Sequence, residues 1–231
     1  MNRFLILTLL VCLLSANLKA QSFNYKSPDR PWSAEIGGGT SFVLADNSFP
    51  FDDQLTFRPT FGGSLGLTRN VRNNFGLKGT VGYQKVMGEA LVPREERLSM
   101  GMDGHAYQFY GYTIFADFSP EIKYLNKTFI NSRSHINMYS SLGVGALMVL
   151  TDNQIQTGSG NEKRKNNFLT PIIPFRTGVS YRFLPLYEAS LEAGLLFTFS
   201  NNIDGRTNNN GIDDHILSFK FKLRKLFSFD Y

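Results

Sequence analysis

The chain has 231 residues, 42% of them hydrophobic and 14% aromatic, with a formal net charge of +5. That length suits one large β domain, and no apolar run after residue 20 is long enough to cross a bilayer as a helix, which takes about 20 residues. The basic residues are spread over strand faces and loops, with no basic helix or cluster, so the charge does not indicate nucleic acid.

Met1-Asn2-Arg3 is a short basic start, Phe4 to Leu14 an apolar run, and Leu18-Lys19-Ala20 resembles a cleavage site. Residues 1–20 therefore read as a signal peptide. Cys12, the sole cysteine, lies in the apolar run after a bulky Val11, which argues against lipidation and leaves the mature chain without a disulfide. Residues 21–31 are polar and read as a periplasmic lead-in, and 32–231 as the folded domain.

From Trp32 onward the sequence alternates with period two, the mark of strands with two unlike faces. Strand one is Trp32 to Leu44, with Trp32, Ala34, Ile36, Gly38, Thr40 and Phe42 on one face; a polar loop follows over Ala45 to Thr56. Strand two, Phe57 to Thr68, presents Phe61, Leu65 and Leu67, with Pro59 near its start. After a turn at Arg69 to Asn74, strand three (Phe75 to Val86) sets Phe75, Leu77, Val81 and Tyr83 against Lys78, Thr80 and Gln84. Met87 to Gly111 is a long loop. Strand four, Tyr112 to Tyr124, opposes Ile114, Ala116, Phe118 and Ile122 to Asp117, Ser119, Glu121 and Lys123, with Pro120 suggesting a bulge.

A turn over Leu125 to His135 leads into strand five, Ile136 to Leu150, with Met138, Leu142, Val144, Ala146 and Met148 outward. Thr151 to Pro171 is a polar loop carrying Lys163-Arg164-Lys165. Strands six to eight alternate most strictly. Phe175, Val179, Tyr181 and Phe183 oppose Arg176 and Arg182; Leu191, Leu195 and Phe197 oppose Glu188 and Glu192; Leu217, Phe219, Phe221 and Leu223 oppose Lys220, Lys222 and Arg224. Leu184-Pro185-Leu186 joins the first two, and a polar loop over Asn201–Asp214 joins the last two. The first five connections run 12, 6, 25, 11 and 21 residues, and the last two are again short and long in turn. Alternating long and short connections predict an all-β fold, an eight-stranded antiparallel up-and-down transmembrane β-barrel with long extracellular loops and short periplasmic turns.

The faces set the orientation. Reversing the register would turn Lys220 and Lys222 to lipid at roughly 2–4 kcal/mol each near the midplane. The second face is therefore the lumen, and it holds Lys78, Lys123, Arg176, Arg182, Lys220, Lys222 and Arg224 with Glu35, Asp117, Glu121, Glu188 and Glu192. Nearly balanced charge in so narrow a barrel predicts a salt-bridged plug over an ion-selective pore. In particular, Glu192 should reach Lys220 or Lys222, and Arg182 should lie by Glu188.

Catalytic, cofactor and metal residues are not indicated. Asp213-Asp214-His215 is the only acid–base cluster resembling that of an outer-membrane hydrolase. No serine nucleophile follows at a matched spacing, and Ser218 belongs to the lumen face. Asn208 to Gly211 with Asp204 and Asp213 lacks the ligand order of a calcium loop. Expected partners are outer-membrane lipid and lipopolysaccharide, whose phosphates Lys163-Arg164-Lys165 could meet, and other envelope proteins met through the loops at 87–111 and 151–171.

Several segments carry a family resemblance: Glu35-Ile36-Gly37, YTIFADFSPEIKYL from Tyr112 to Leu125, Ser141 to Gly145, Ile173 to Tyr181, and Leu191 to Gly194 with Thr198-Phe199. Together the chain resembles the small outer-membrane β-barrels of Bacteroidota, a domain of unknown function akin to the OmpA transmembrane barrel. The N-terminal pattern of the similarly sized type IX secretion barrels of the PorT type is not found. The resemblance implies an outer-membrane location in a Gram-negative bacterium and an eight-stranded barrel. It supplies no catalytic residues, and with no peptidoglycan-binding domain after Tyr231 it does not imply wall tethering. The expected role is a non-enzymatic surface or scaffold component; a narrow passive pore and an outer-membrane hydrolase are the other readings.

Overall fold

Eight long antiparallel strands close into a ring in the computed structural model, which describes residues 31–44, 55–56, 58–72, 74–90, 106–124, 136–157, 160–200, 202–203 and 213–227. They are β1 (Trp32–Leu44), β2 (Thr60–Arg72), β3 (Phe75–Ala90), β4 (Ala106–Lys123), β5 (Ile136–Leu142 and Val144–Thr157, one strand interrupted at Gly143), β6 (Gly160–Leu184), β7 (Tyr187–Thr198) and β8 (His215–Phe227). Each pairs with its sequence neighbours, and β1 pairs with β8 from Trp32↔Phe227 to Leu44↔His215, which closes the barrel. A two-residue strand, Leu55–Thr56, adds to the far end of β3. The signal-peptide reading and the lead-in up to residue 30 lie outside the described residues, as do residues 45–54, 91–105, 125–135 and 204–212.

Alternation decides which side faces in. On β4 buried and exposed residues alternate from Phe109 to Ile122, and Pro120 stays in the ladder opposite Leu77. The outer surface is apolar: Ile36, Leu65, Val81, Phe118, Val144, Leu191 and Phe221 are all more than half exposed. Lys78, Glu121, Lys222 and Arg224 are buried. A soluble barrel places these classes the other way round.

Three sequence expectations need correction. The segment 151–171 is not a loop. Its residues continue β5 and β6 as a hairpin arm, paired from Thr157↔Gly160 down to Ala146↔Pro171. The long segment 87–111 is strand at both ends, since β3 runs to Ala90 and β4 starts at Ala106. The turn expected at 69–74 is shorter, because β2 extends to Arg72 and β3 resumes at Phe75. The cause is common to all three. The period-two contrast between an apolar and a polar face fades although the ladder continues: the arm carries polar residues on both faces, and at 106–111 aromatic residues stand on both, Phe109 inward and Tyr110 outward.

Candidate functional site: the lumen and the protruding sheet

The lumen has two storeys. In the half nearer Trp32 and Phe227, inward positions bring charge together from six strands. Arg224 of β8 forks between two carboxylates: its Nη2 lies 2.8 Å from Glu35 Oε2 and 2.9 Å from Glu121 Oε2. Lys222 bridges Glu192 at 2.6 Å and Glu35 at 3.0 Å. Lys78, fully buried, reaches Glu35 at 2.5 Å and lies 3.7 Å from Glu192. Arg176 meets Asp117 through two parallel hydrogen bonds of 2.9 and 2.6 Å, and Ser119 donates to the same carboxylate. Arg182 pairs with Glu188 at the rim, beside the Pro185-Leu186 turn. Lys123 donates to Asn70 Oδ1 at 2.8 Å and stands 3.9 Å from Glu121.

Eleven of the twelve charged residues read from the sequence thus enter ion pairs. The exception is Lys220. It sits opposite Glu192 in the β8–β7 register, but the Glu192 carboxylate is taken by Lys222 and by the Tyr139 hydroxyl, which donates to it at 3.0 Å. Lys220 makes no ion pair among the described residues, and its Nζ lies 5.0 Å from the centre of the Phe115 ring. Tyr139 is a residue the sequence reading passed over. It shares the inward parity of Asn137 and Ser141, is 1% exposed, and has Lys78 and Arg224 near its ring face.

The other storey holds an apolar cluster, with buried polar side chains such as Gln84, Thr113 and Thr151 among it. Val43, Val86, Phe109, Phe115, Leu147, Val149, Ile172, Leu196 and Ile216 point inward and form one buried cluster. Ile203, from the connection between β7 and β8, roofs it with no exposed surface, and its N–H donates to Asp214 Oδ2 at 2.7 Å. That bond gives Asp214 a structural task. His215 lies on the opposite parity and packs edge-on against Phe197, 5.3 Å between ring centres. Asp214 and His215 of the hydrolase reading therefore do not converge on one face. Among the described residues no group of three His, Cys, Asp or Glu side chains could hold a metal ion.

Outside, strand register shows where the apolar belt ends. Across β3 to β6 one outward row reads Tyr83, Ile114, Met148, Leu169. The next is Lys85, Tyr112, Leu150, Asn167, then Met87, Tyr110, Asp152, Lys165, then Glu89, Gln108, Gln154, Lys163. The change from apolar to charged takes two rows. Tyr83 and Tyr112 pack 5.8 Å apart at the step, and Lys85 lies over Tyr110 at 4.9 Å. Toward the other rim Tyr181, Phe183 and Tyr187 are exposed, Phe183 stacking on Tyr187. The arm formed by Thr151–Thr157 and 160–167 stands roughly 20 Å along its strands past the Lys85 row.

No family model matches the chain, and no curated protein does. Among solved structures the chain is similar to Ail, the attachment invasion locus protein of Yersinia pestis in complex with the heparin analogue sucrose octasulfate (12% identity over 85% of this chain and 97% of that chain, TM-score 0.47). It is similar also to Neisserial surface protein A (11%, 85% and 97%, TM-score 0.48) and to a major outer membrane protein of Thermus thermophilus (10%, 85% and 99%, TM-score 0.48).

Proposed function

We propose that this protein is an integral outer-membrane barrel of a Gram-negative bacterium, inserted after removal of residues 1–20, that presents its protruding sheet and long connections to partners and does not conduct solutes. The observation that carries this reading is the two-storey lumen. Side chains from opposite walls meet in the charged half, as Arg224 does with Glu121 at 2.9 Å, and a buried apolar cluster that includes Ile203 occupies the other half. An eight-stranded barrel has just enough interior for side chains, and cross-linked ion pairs together with a buried apolar cluster argue against a continuous wet path. The apolar exterior with aromatic rims suits a bilayer. Membership of the Bacteroidota barrels and contact with lipopolysaccharide and other envelope proteins belong to the same proposal. The role is non-enzymatic and uses no cofactor.

Purified protein in planar bilayers tests it. Silence, apart from rare noise, is expected. Steady single-channel conductance of reproducible size would overturn the plug and favour a narrow pore. Recovery of the protein from the soluble periplasm would overturn the membrane assignment.

A further inference from the structure

Among the described residues, 161–171 of β6 are paired on one side only. They form a ladder with β5, while the pairing of β6 with β7 begins at Ile172↔Thr198. No strand runs along their other side among the described residues. The connection after β7 touches this stretch through a side chain, Asn166 donating to the Asn202 carbonyl at 2.6 Å. An unpaired strand edge is a template for another extended chain.

The charge on this edge selects the partner. Lys163, Arg164 and Lys165 are all exposed, and Glu162 is the only acid between 161 and 171. A second copy is disfavoured. Laying the edge antiparallel on itself about Arg164 sets Lys163 against Lys165 of the copy, and like charges directly opposite are destabilising. The same cations attract a strand bearing carboxylates. Lys163 and Lys165 lie two residues apart on one face, with Arg164 on the other, so acids at alternating positions can face both lysines. The outward rows place this stretch past the end of the apolar belt.

Resting on the surface-presentation reading above, we infer that the free edge of β6 is a docking strand for an acidic, extended polypeptide segment, which adds to the sheet with carboxylates opposite Lys163 and Lys165. Backbone hydrogen bonds supply the adhesion and the charges supply the selection.

The test uses the full mature chain purified in detergent micelles and a fluorescent peptide alternating glutamate with valine and threonine. Anisotropy should show saturable binding. N-methylation of alternate peptide nitrogens on the docking edge should weaken it by about tenfold or more, because the ladder is lost while the charge stays. The variant K163E/R164E/K165E should lose the glutamate peptide and gain the matching lysine peptide, a swap that a misfolded protein would not show. Binding indifferent to N-methylation overturns strand addition. So does no binding at about 1 mM peptide, or capture of a sulfated polysaccharide in place of the peptide, which would make the arm a polyanion site. Biotinylation of Lys163 in intact cells separates the two proposals. If the micelle result holds and Lys163 is unreachable in cells, the docking edge stands and surface presentation fails.

Discussion

Tyr139 lies directly across the β5–β6 ladder from Gly178, and a Cβ on that glycine would stand 2.7 Å from the tyrosine ring and hydroxyl. The same arrangement recurs around the lumen. Phe115 lies over Gly82, Phe109 over Gly88, Lys222 over Gly37 and Glu35 over Gly66, each pair in register on adjacent strands. In a narrow interior each of these five bulky or charged residues thus has a glycine beside it at its own level, which leaves room for its side chain.

Gly82→Ala is expected to destabilise by about 1–3 kcal/mol or more, because its Cβ would fall 2.1 Å from the Phe115 ring and overpacking has no outlet. Gly79→Ala is the control, as nothing lies within 4 Å of its Cβ position. Urea-dependent loss of heat-modifiable gel mobility reads both. Equal midpoints for the two variants would show that the lumen is looser than described.

Glu192→Leu removes the acceptor shared by Lys222 and Tyr139 and should destabilise, by up to about 3–5 kcal/mol, since it leaves the buried Lys222 ammonium with Glu35 as its one carboxylate in place of two. The half-buried pair Arg58–Glu89 at the surface, 2.8 Å apart, supplies the contrast: Arg58→Ala should change stability by no more than about 1 kcal/mol. The urea midpoint measures both, and a Glu192→Leu variant as stable as the parent would refute the cross-linked lumen.

Much of this was legible beforehand. Strand number and facing followed from alternation on β6, β7 and β8, where Phe219 and Phe221 oppose Lys220 and Lys222. The charged storey was legible because charge on one parity can only face inward in a barrel with an apolar exterior. The apolar storey was not. Phe115, Leu147 and Ile216 sit on the inward parity but look like ordinary members of an apolar strand, and only the three-dimensional level at which they meet reveals a second layer. The arm was missed for the opposite reason, since its residues are polar on both faces. Individual pairings were also beyond reach: Glu192 faces Lys220 in register but binds Lys222, because lysine stems reach diagonally.

Lys220→Met should leave the fold intact and stabilise it by at least about 1 kcal/mol. The substitution removes a buried ammonium that lacks a carboxylate partner and extends the apolar layer around Phe115. Chemical denaturation compares it with Lys222→Met, which breaks pairs to Glu35 and Glu192 and should destabilise. Loss of stability in both variants to the same degree would mean that Lys220 has a polar role that its position over Phe115 does not disclose.

A depth scan of the outer face separates a membrane barrel from any soluble alternative. Arginine at Phe118, in the apolar belt, should cost about 2–4 kcal/mol in folding into lipid vesicles, whereas arginine at Gln108, two rows past Tyr112 on the same strand and face, should cost about 0–1 kcal/mol. Ile114→Arg should fall between them. The gradient arises from lipid alone, because all three positions point away from the lumen and none takes part in the ion pairs. In water an exposed Phe118→Arg change would be neutral or would improve solubility, with no dependence on position along β4. Folding yields and urea midpoints measured in vesicles give the three values. A flat profile would place the belt in water and remove the membrane assignment, while a gradient that reaches its low end at Gln108 would fix the boundary at the row of Lys85 and Tyr112.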